Sequence, residues 1–120
     1  MWMIYGANGY TGELIAREAV KRGHRPVLAG RRAEEVTKLA QELGCEARVF
    51  DLDKPNLDGI RLVLHCAGPF MHTSKRMVDA CLAAGAHYLD ITGEIVVFEA
   101  VMRRDAESKQ RGVALEVELA

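Results

Sequence analysis

The chain has 120 residues, enough for one domain and not two. Hydrophobic residues make up 49% and charged ones 28%, with a formal net charge of -1. That balance argues against a chain built to coat nucleic acid or an anionic membrane, while leaving room for one local basic site.

In chain order, Met1 to Tyr5 reads as a strand and Gly6 to Gly12 as a glycine-rich turn. Glu13 to Arg22 reads as a helix stopped by Gly23, and Arg25 to Ala29 as a second strand. Ala33 to Leu43 is the cleanest helix, because Val36, Leu39, Ala40 and Leu43 fall on one stripe at i, i+3, i+4 and i+7. Ala47 to Phe50 is a third strand. Asp51 to Gly59 is so rich in turn formers that it leaves room for little or no crossover helix. Arg61 to Cys66 is a fourth strand. Ser74 to Ala84 follows as a helix with Thr73 as its expected N-cap, then a fifth strand from His87 to Ile91. Ile95 to Arg111 reads as a longer helix and Val113 to Leu119 as a sixth strand.

Strands alternating with helices predict βαβ units on a parallel sheet. Leu62-Val63-Leu64 is apolar on both faces, as a sheet covered on both sides requires. The expectation is one α/β domain over residues 1–120: a three-layer Rossmann fold, a doubly wound parallel sheet of strand order 3-2-1-4-5-6.

Gly6-Ala7-Asn8-Gly9-Tyr10-Thr11-Gly12 lies between the first strand and the first helix, where a phosphate-binding loop belongs. Gly6 allows a sharp turn off the strand, Gly9 lets backbone approach a pyrophosphate, and Gly12 lets the helix pack closely on the sheet. The helix N-terminus adds free N–H groups and the positive end of its dipole. The spacing is Gly-x-x-Gly-x-x-Gly, so the signal rests on its position in the fold more than on the glycines alone.

An NAD-selective site usually has Asp or Glu at the end of the second strand to hold the ribose 2′-OH. Here the chain reads Ala29-Gly30-Arg31-Arg32, with two guanidinium groups suited to a 2′-phosphate. The pair could also divide its work, one Arg on the phosphate and the other stacked on the adenine. NADP is therefore the expected cofactor, with NAD second. Asp51-Leu52, after the third strand, either borders the adenine or is simply a turn. Cys45, Cys66 and Cys81 contain no Cys-x-x-Cys pair, and the four histidines show no ligand spacing, so neither a disulfide framework nor a metal site is expected. His65 and Cys66 are strand neighbours facing opposite ways, which argues against a nucleophilic pair.

With these residues in place the chain resembles the saccharopine dehydrogenase family, which includes saccharopine reductases and trans-acting enoyl reductases. The resemblance is carried by the glycine loop, Ala29-Gly30-Arg31-Arg32, Cys66-Ala67-Gly68-Pro69-Phe70 and Tyr88-Leu89-Asp90-Ile91-Thr92-Gly93-Glu94. It implies that Ala67, Gly68, Pro69 and Phe70 run beside the cofactor and that Gly93-Glu94 lies near the nicotinamide. Three departures stand out: His65 replaces a common Asn, the third crossover is short, and the substrate domain with which the family normally continues after the sixth strand is not expected within these 120 residues. The resemblance implies the cofactor half of an oxidoreductase acting on an imine or a C=C bond, with catalysis needing a further domain. The alternative is a stand-alone NADP-binding sensor or regulatory module. A short-chain dehydrogenase is disfavoured because none of Tyr5, Tyr10 and Tyr88 begins a Tyr-x-x-x-Lys motif. Asp90 and Glu94 are read as turn residues near the cofactor, and no residue is assigned a catalytic role.

No apolar run approaches the about 20 residues of a transmembrane helix, and Met1 to Tyr5 is too short for a signal peptide; a cytoplasmic location is expected. A homodimer is also expected, through the uncovered cleft side or through the last strand. On that strand Val113, Leu115, Val117 and Leu119 alternate with Glu116 and Glu118.

Overall fold

In the computed structural model the described residues are 1–68, 70–90, 104–112 and 114–117. Six parallel strands form one sheet: β1 (Trp2–Tyr5), β2 (Val27–Gly30), β3 (Ala47–Val49), β4 (Leu62–His65), β5 (His87–Asp90) and β6 (Leu115–Val117). Their order is β3-β2-β1-β4-β5-β6, the expected Rossmann order. Among the described residues four helices accompany them: α1 (Tyr10–Lys21), α2 (Ala33–Leu43), α3 (Phe70–Ala84) and α4 (Asp105–Arg111).

The three layers follow from which side chains each sheet face buries. Ile4 and Leu28 point to one face, where Ala16 of α1 and Leu39 and Ala40 of α2 cover them. Met3, Tyr5, Val27, Val63 and Tyr88 point to the other, against Met77, Val78 and Cys81 of α3. Successive residues of β1 thus serve opposite layers, as a period of two demands. Because both faces are covered, β2 is buried at all four positions. Arg104 joins α4 to this second layer by an ion pair to Asp79 at 2.5 Å, and Arg111 donates to the Leu82 carbonyl at 3.1 Å.

The chain passes from β3 to β4 without a helix. Phe50, Leu57 and Ile60 of this connection are buried in the α3-side core and do the covering a crossover helix would do. Two helices start earlier than their apolar pattern indicates. α1 begins at Tyr10, not Glu13, and α3 begins at Phe70, not Ser74. Thr73 therefore sits within α3 and is not its cap. β2 is shifted to end on Gly30. Of the helix expected over Ile95 to Arg111 the structure describes Asp105–Arg111, and residues 95–103 lie outside the described part. Pro69, Gly93-Glu94, Val113, Glu118 and Leu119 also lie outside it, as do the side chains of Phe70 and of residues 115–117. Among the described residues no helix is long and apolar enough to cross a membrane.

Candidate functional site

A cleft of about 810 Å³ opens at the carboxyl ends of β1, β2 and β4. This is where strand order reverses direction around β1, the place where open α/β sheets hold ligands. Its floor is laid by backbone. The Gly6 and Ala7 amides both donate to the Ala29 carbonyl, at 2.8 and 3.1 Å, tying the loop after β1 to β2. The Gly9 amide returns to the Gly6 carbonyl at 3.1 Å, and the Cys66 amide donates to the Tyr5 carbonyl at 2.8 Å.

Two glycines are required by this crossing of loops. Gly6 has φ +84°, and a Cβ on it would lie 2.6 Å from the Ala67 amide nitrogen. A Cβ on Gly12 would lie 2.1 Å from the Gly6 carbonyl oxygen, so α1 packs directly on the loop. Gly9 differs: its φ is −78°, and a Cβ there would meet only the Gly6 carbonyl, at 3.4 Å. Gly9 is the N-cap of α1 and has no capping side-chain bond, which leaves the amides of the first helical turn directed outward. A loop kept free of side-chain bulk at the positive end of a 12-residue helix is a cradle for an anion.

Of the residues expected to bind cofactor, the cleft brings together Gly6, Asn8, Gly9, Arg31, Arg32, Asp51, Leu52, Ala67 and Gly68. Ala7 is buried behind the loop, Gly12 is buried in α1, and Tyr10 and Thr11 point to solvent, Tyr10 with 85% of its surface exposed. Asp51 lines the cleft and also accepts from the Asp53 amide at 2.8 Å, so its turn role and its place by the cleft coexist.

The cleft also contains residues that were not expected to bind cofactor: Tyr5, Gly30, Asp53, Cys66, Thr73 and Arg76. Tyr5 donates its hydroxyl to the Phe50 carbonyl at 3.0 Å and packs its ring 4.9 Å from the Phe50 ring. Burial pushes its phenol above the ordinary value, with Asp51 adding to the effect. Arg76 of α3 pairs with Asp53 at 2.7 Å, joining two walls of the cleft. Gly30 leaves the space that the Asn8 side chain uses: a Cβ there would lie 2.8 Å from Asn8 Oδ1.

The wall after β4 is held by a part-buried hydrogen-bond relay. Thr73 Oγ1 donates to the Ala67 carbonyl at 2.8 Å, and His65 Nε2 lies 2.8 Å from the same Oγ1. A hydroxyl has one proton to give. With that proton on Ala67, Thr73 accepts from His65, which places the ring proton on Nε2. His65 is fully buried, and burial pushes its imidazole down to about 4, so the ring is neutral at physiological pH. Beside it, Cys66 faces the opposite layer, and burial first, then Asp90, pushes its thiol up to about 11. A thiol so weakly acidic supplies no thiolate near neutrality. Asp90, directly across the β4–β5 ladder from His65, is buried and accepts the hydroxyl of Tyr88.

A family model described as Saccharopine dehydrogenase NADP binding domain matches residues 2–115. A probable mitochondrial saccharopine dehydrogenase-like oxidoreductase of Arabidopsis thaliana is 34% identical, with 77% of this chain and 25% of that protein covered. A trans-acting enoyl reductase of Mycobacterium tuberculosis is 32% identical over 78% of this chain and 25% of its own length. The chain thus spans about a quarter of the length of the curated relatives it matches. Among solved structures, GenD2 from gentamicin A biosynthesis in complex with NAD has a TM-score of 0.73 at 20% identity, covering 98% of this chain and 33% of that one. A closed serine dehydrogenase complexed with NADP+ has a TM-score of 0.72 at 18% identity, covering 98% and 71%. At such identities these structures establish the fold.

Proposed function

The chain belongs to the saccharopine dehydrogenase family, as its NADP-binding domain, and from that membership we propose that it binds NADP in preference to NAD as the cofactor-holding part of an oxidoreductase. The observation that carries the reading is Arg31 and Arg32 lining the same cleft as Gly6 and Gly9. The glycine loop and the first turn of α1 would hold the pyrophosphate through backbone amides. Arg31 and Arg32 would take the 2′-phosphate, a bond that Arg makes in paired, charge-assisted form. Asp51, Leu52 and Arg76 would border the adenosine end, and Ala67 and Gly68 the wall along the nicotinamide half. The bound nicotinamide supplies hydride transfer, to or from an imine or a C=C bond in this reading. No described residue is given a catalytic role: Cys66 is a protonated thiol and His65 is committed to Thr73. The substrate would be held by a further domain, corresponding to the three quarters of the relatives that this chain does not match.

Titration calorimetry with NADP and NAD tests this reading. Arg31→Ala should weaken NADP by about 1.5–3 kcal/mol, the range for hydrogen bonds to charged groups, and leave NAD nearly unchanged. Equal affinity of the parent protein for the two cofactors would overturn the preference.

A further inference from the structure

Glu35 is the one acid among the described residues that touches both the glycine loop and the arginine pair. Its Oε2 accepts from Asn8 Nδ2 at 2.8 Å, and its Oε1 lies 3.5 Å from Arg32 Nη1. The Asn8 amide foremost, with Arg32 assisting, holds the Glu35 carboxyl below its ordinary range, so it is an anion at neutral pH. Gly30 is what admits Asn8 to this position. The carboxylate therefore stands at the edge of the cleft that Arg32 lines, reached from α2 and not from the end of β2.

We propose that Glu35 is a specificity-determining residue that limits how strongly the site favours a 2′-phosphate over a 2′-hydroxyl. The inference rests on the reading that Arg31 and Arg32 meet the 2′ position. Two effects act together. Glu35 neutralises part of the Arg32 charge that a phosphate would otherwise use, and its own negative charge opposes a second anion nearby. A neutral 2′-hydroxyl suffers neither effect. Arg31 has no ion-pair partner among the described residues, so it keeps its full charge for the ligand, whereas Arg32 is shared. Asn8 links this balance to the glycine loop, because the carboxylate that shields Arg32 also anchors a loop side chain.

Glu35→Gln tests the proposal cleanly, since the Gln side-chain oxygen can still accept from Asn8 while the charge is gone. The control is Glu34→Gln, which removes the same charge one residue away, from a side chain without a contact to Asn8 or Arg32 among the described residues. Dissociation constants for NADP and NAD are measured by calorimetry on the parent and both variants. The affinity ratio, NADP over NAD, is expected to rise about three- to tenfold in Glu35→Gln, the scale of releasing a partly exposed ion pair and a nearby repulsion. It should stay unchanged in Glu34→Gln. An unchanged or lower ratio in Glu35→Gln overturns the proposal, as does an equal rise in both variants. The parent ratio separately judges the preference for NADP: a parent without preference whose ratio still rises in Glu35→Gln sinks that preference and upholds the role of Glu35. Binding of neither cofactor overturns both.

Discussion

His65 is a buried group whose ionisation the fold resists. Its ring lies 6.0 Å from the Tyr5 and Tyr88 rings, between two aromatic neighbours on the same sheet face. Folding lowers its proton affinity from 6.5 to about 4, so the unfolded chain holds more protons across that interval. Stability contributed by the neutral ring is complete above pH 6.5 and is lost as pH falls toward 4. The loss is about 3 kcal/mol, at roughly 1.4 kcal/mol for each pH unit of the shift. His65→Gln keeps a side-chain amide that extends as far as Nε2 and can donate to Thr73, and it removes this titration. Urea unfolding at pH 7 and pH 4 should show the parent losing about 3 kcal/mol more than the variant. Identical losses would mean that His65 is not the titrating group. Residue type alone could not reveal any of this. A histidine before Cys66 in the sequence says nothing about a hydroxyl eight positions later, and only the packing of α3 on β4 brings Thr73 to it. The same reason hid Arg76, Tyr5 and Glu35. Glu35 reads in the sequence as an ordinary acid in the first turn of a helix, where the dipole favours it. Its partner Asn8 is 27 positions away.

At the scale of elements, the junction of β1, the glycine loop and α1 joins fold to function, and its glycines divide the two tasks. Gly12→Ala would force a methyl into the Gly6 carbonyl 2.1 Å away, and backbone cannot yield cheaply. We expect a loss of about 3 kcal/mol, the upper part of the range for overpacking. Gly9→Val meets no comparable obstacle and has an ordinary backbone conformation. It should change stability by less than about 1 kcal/mol, the scale of an exposed cap substitution, while abolishing cofactor binding, because its side chain would stand where the pyrophosphate approaches. Thermal unfolding and a fluorescence titration on both variants separate the roles. A Gly9→Val protein with normal NADP affinity would place the phosphate loop elsewhere. This junction was legible in the sequence because glycine spacing encodes close approach directly. The start of α1 was not. Its apolar stripe begins at Leu14, and Tyr10-Thr11-Gly12 carries weak helix formers, of which Gly12 alone packs against the loop. The start of α3 was missed for a similar reason: a threonine resembles a cap by type, while Thr73 spends its hydroxyl proton on the Ala67 carbonyl.

For the whole molecule, strand order followed from alternation and the position of the glycine loop, since few right-handed topologies satisfy both. The two covered faces were visible in β4, apolar throughout at Leu62-Val63-Leu64. The cleft is a property of the assembled sheet: β1, the glycine loop, the ends of β2 and β4 with the residues that follow them, α3 and the β3–β4 connection all border it. The central claim is that this cleft holds the dinucleotide, with the phosphates on the glycine loop and the 2′ end on the arginines. A 13.3 kDa chain suits amide-resolved NMR. Titrating the ¹⁵N-labelled protein with NADP should shift the amides of Gly6, Asn8, Gly9, Arg31, Arg32, Ala67 and Gly68 together and saturably, and leave those of Asn56, Leu57, Asp58, Gly59 and Ile60, ahead of the amino end of β4, unmoved. Shifts confined to other surfaces, or no saturable shifts at millimolar NADP, would contradict the account.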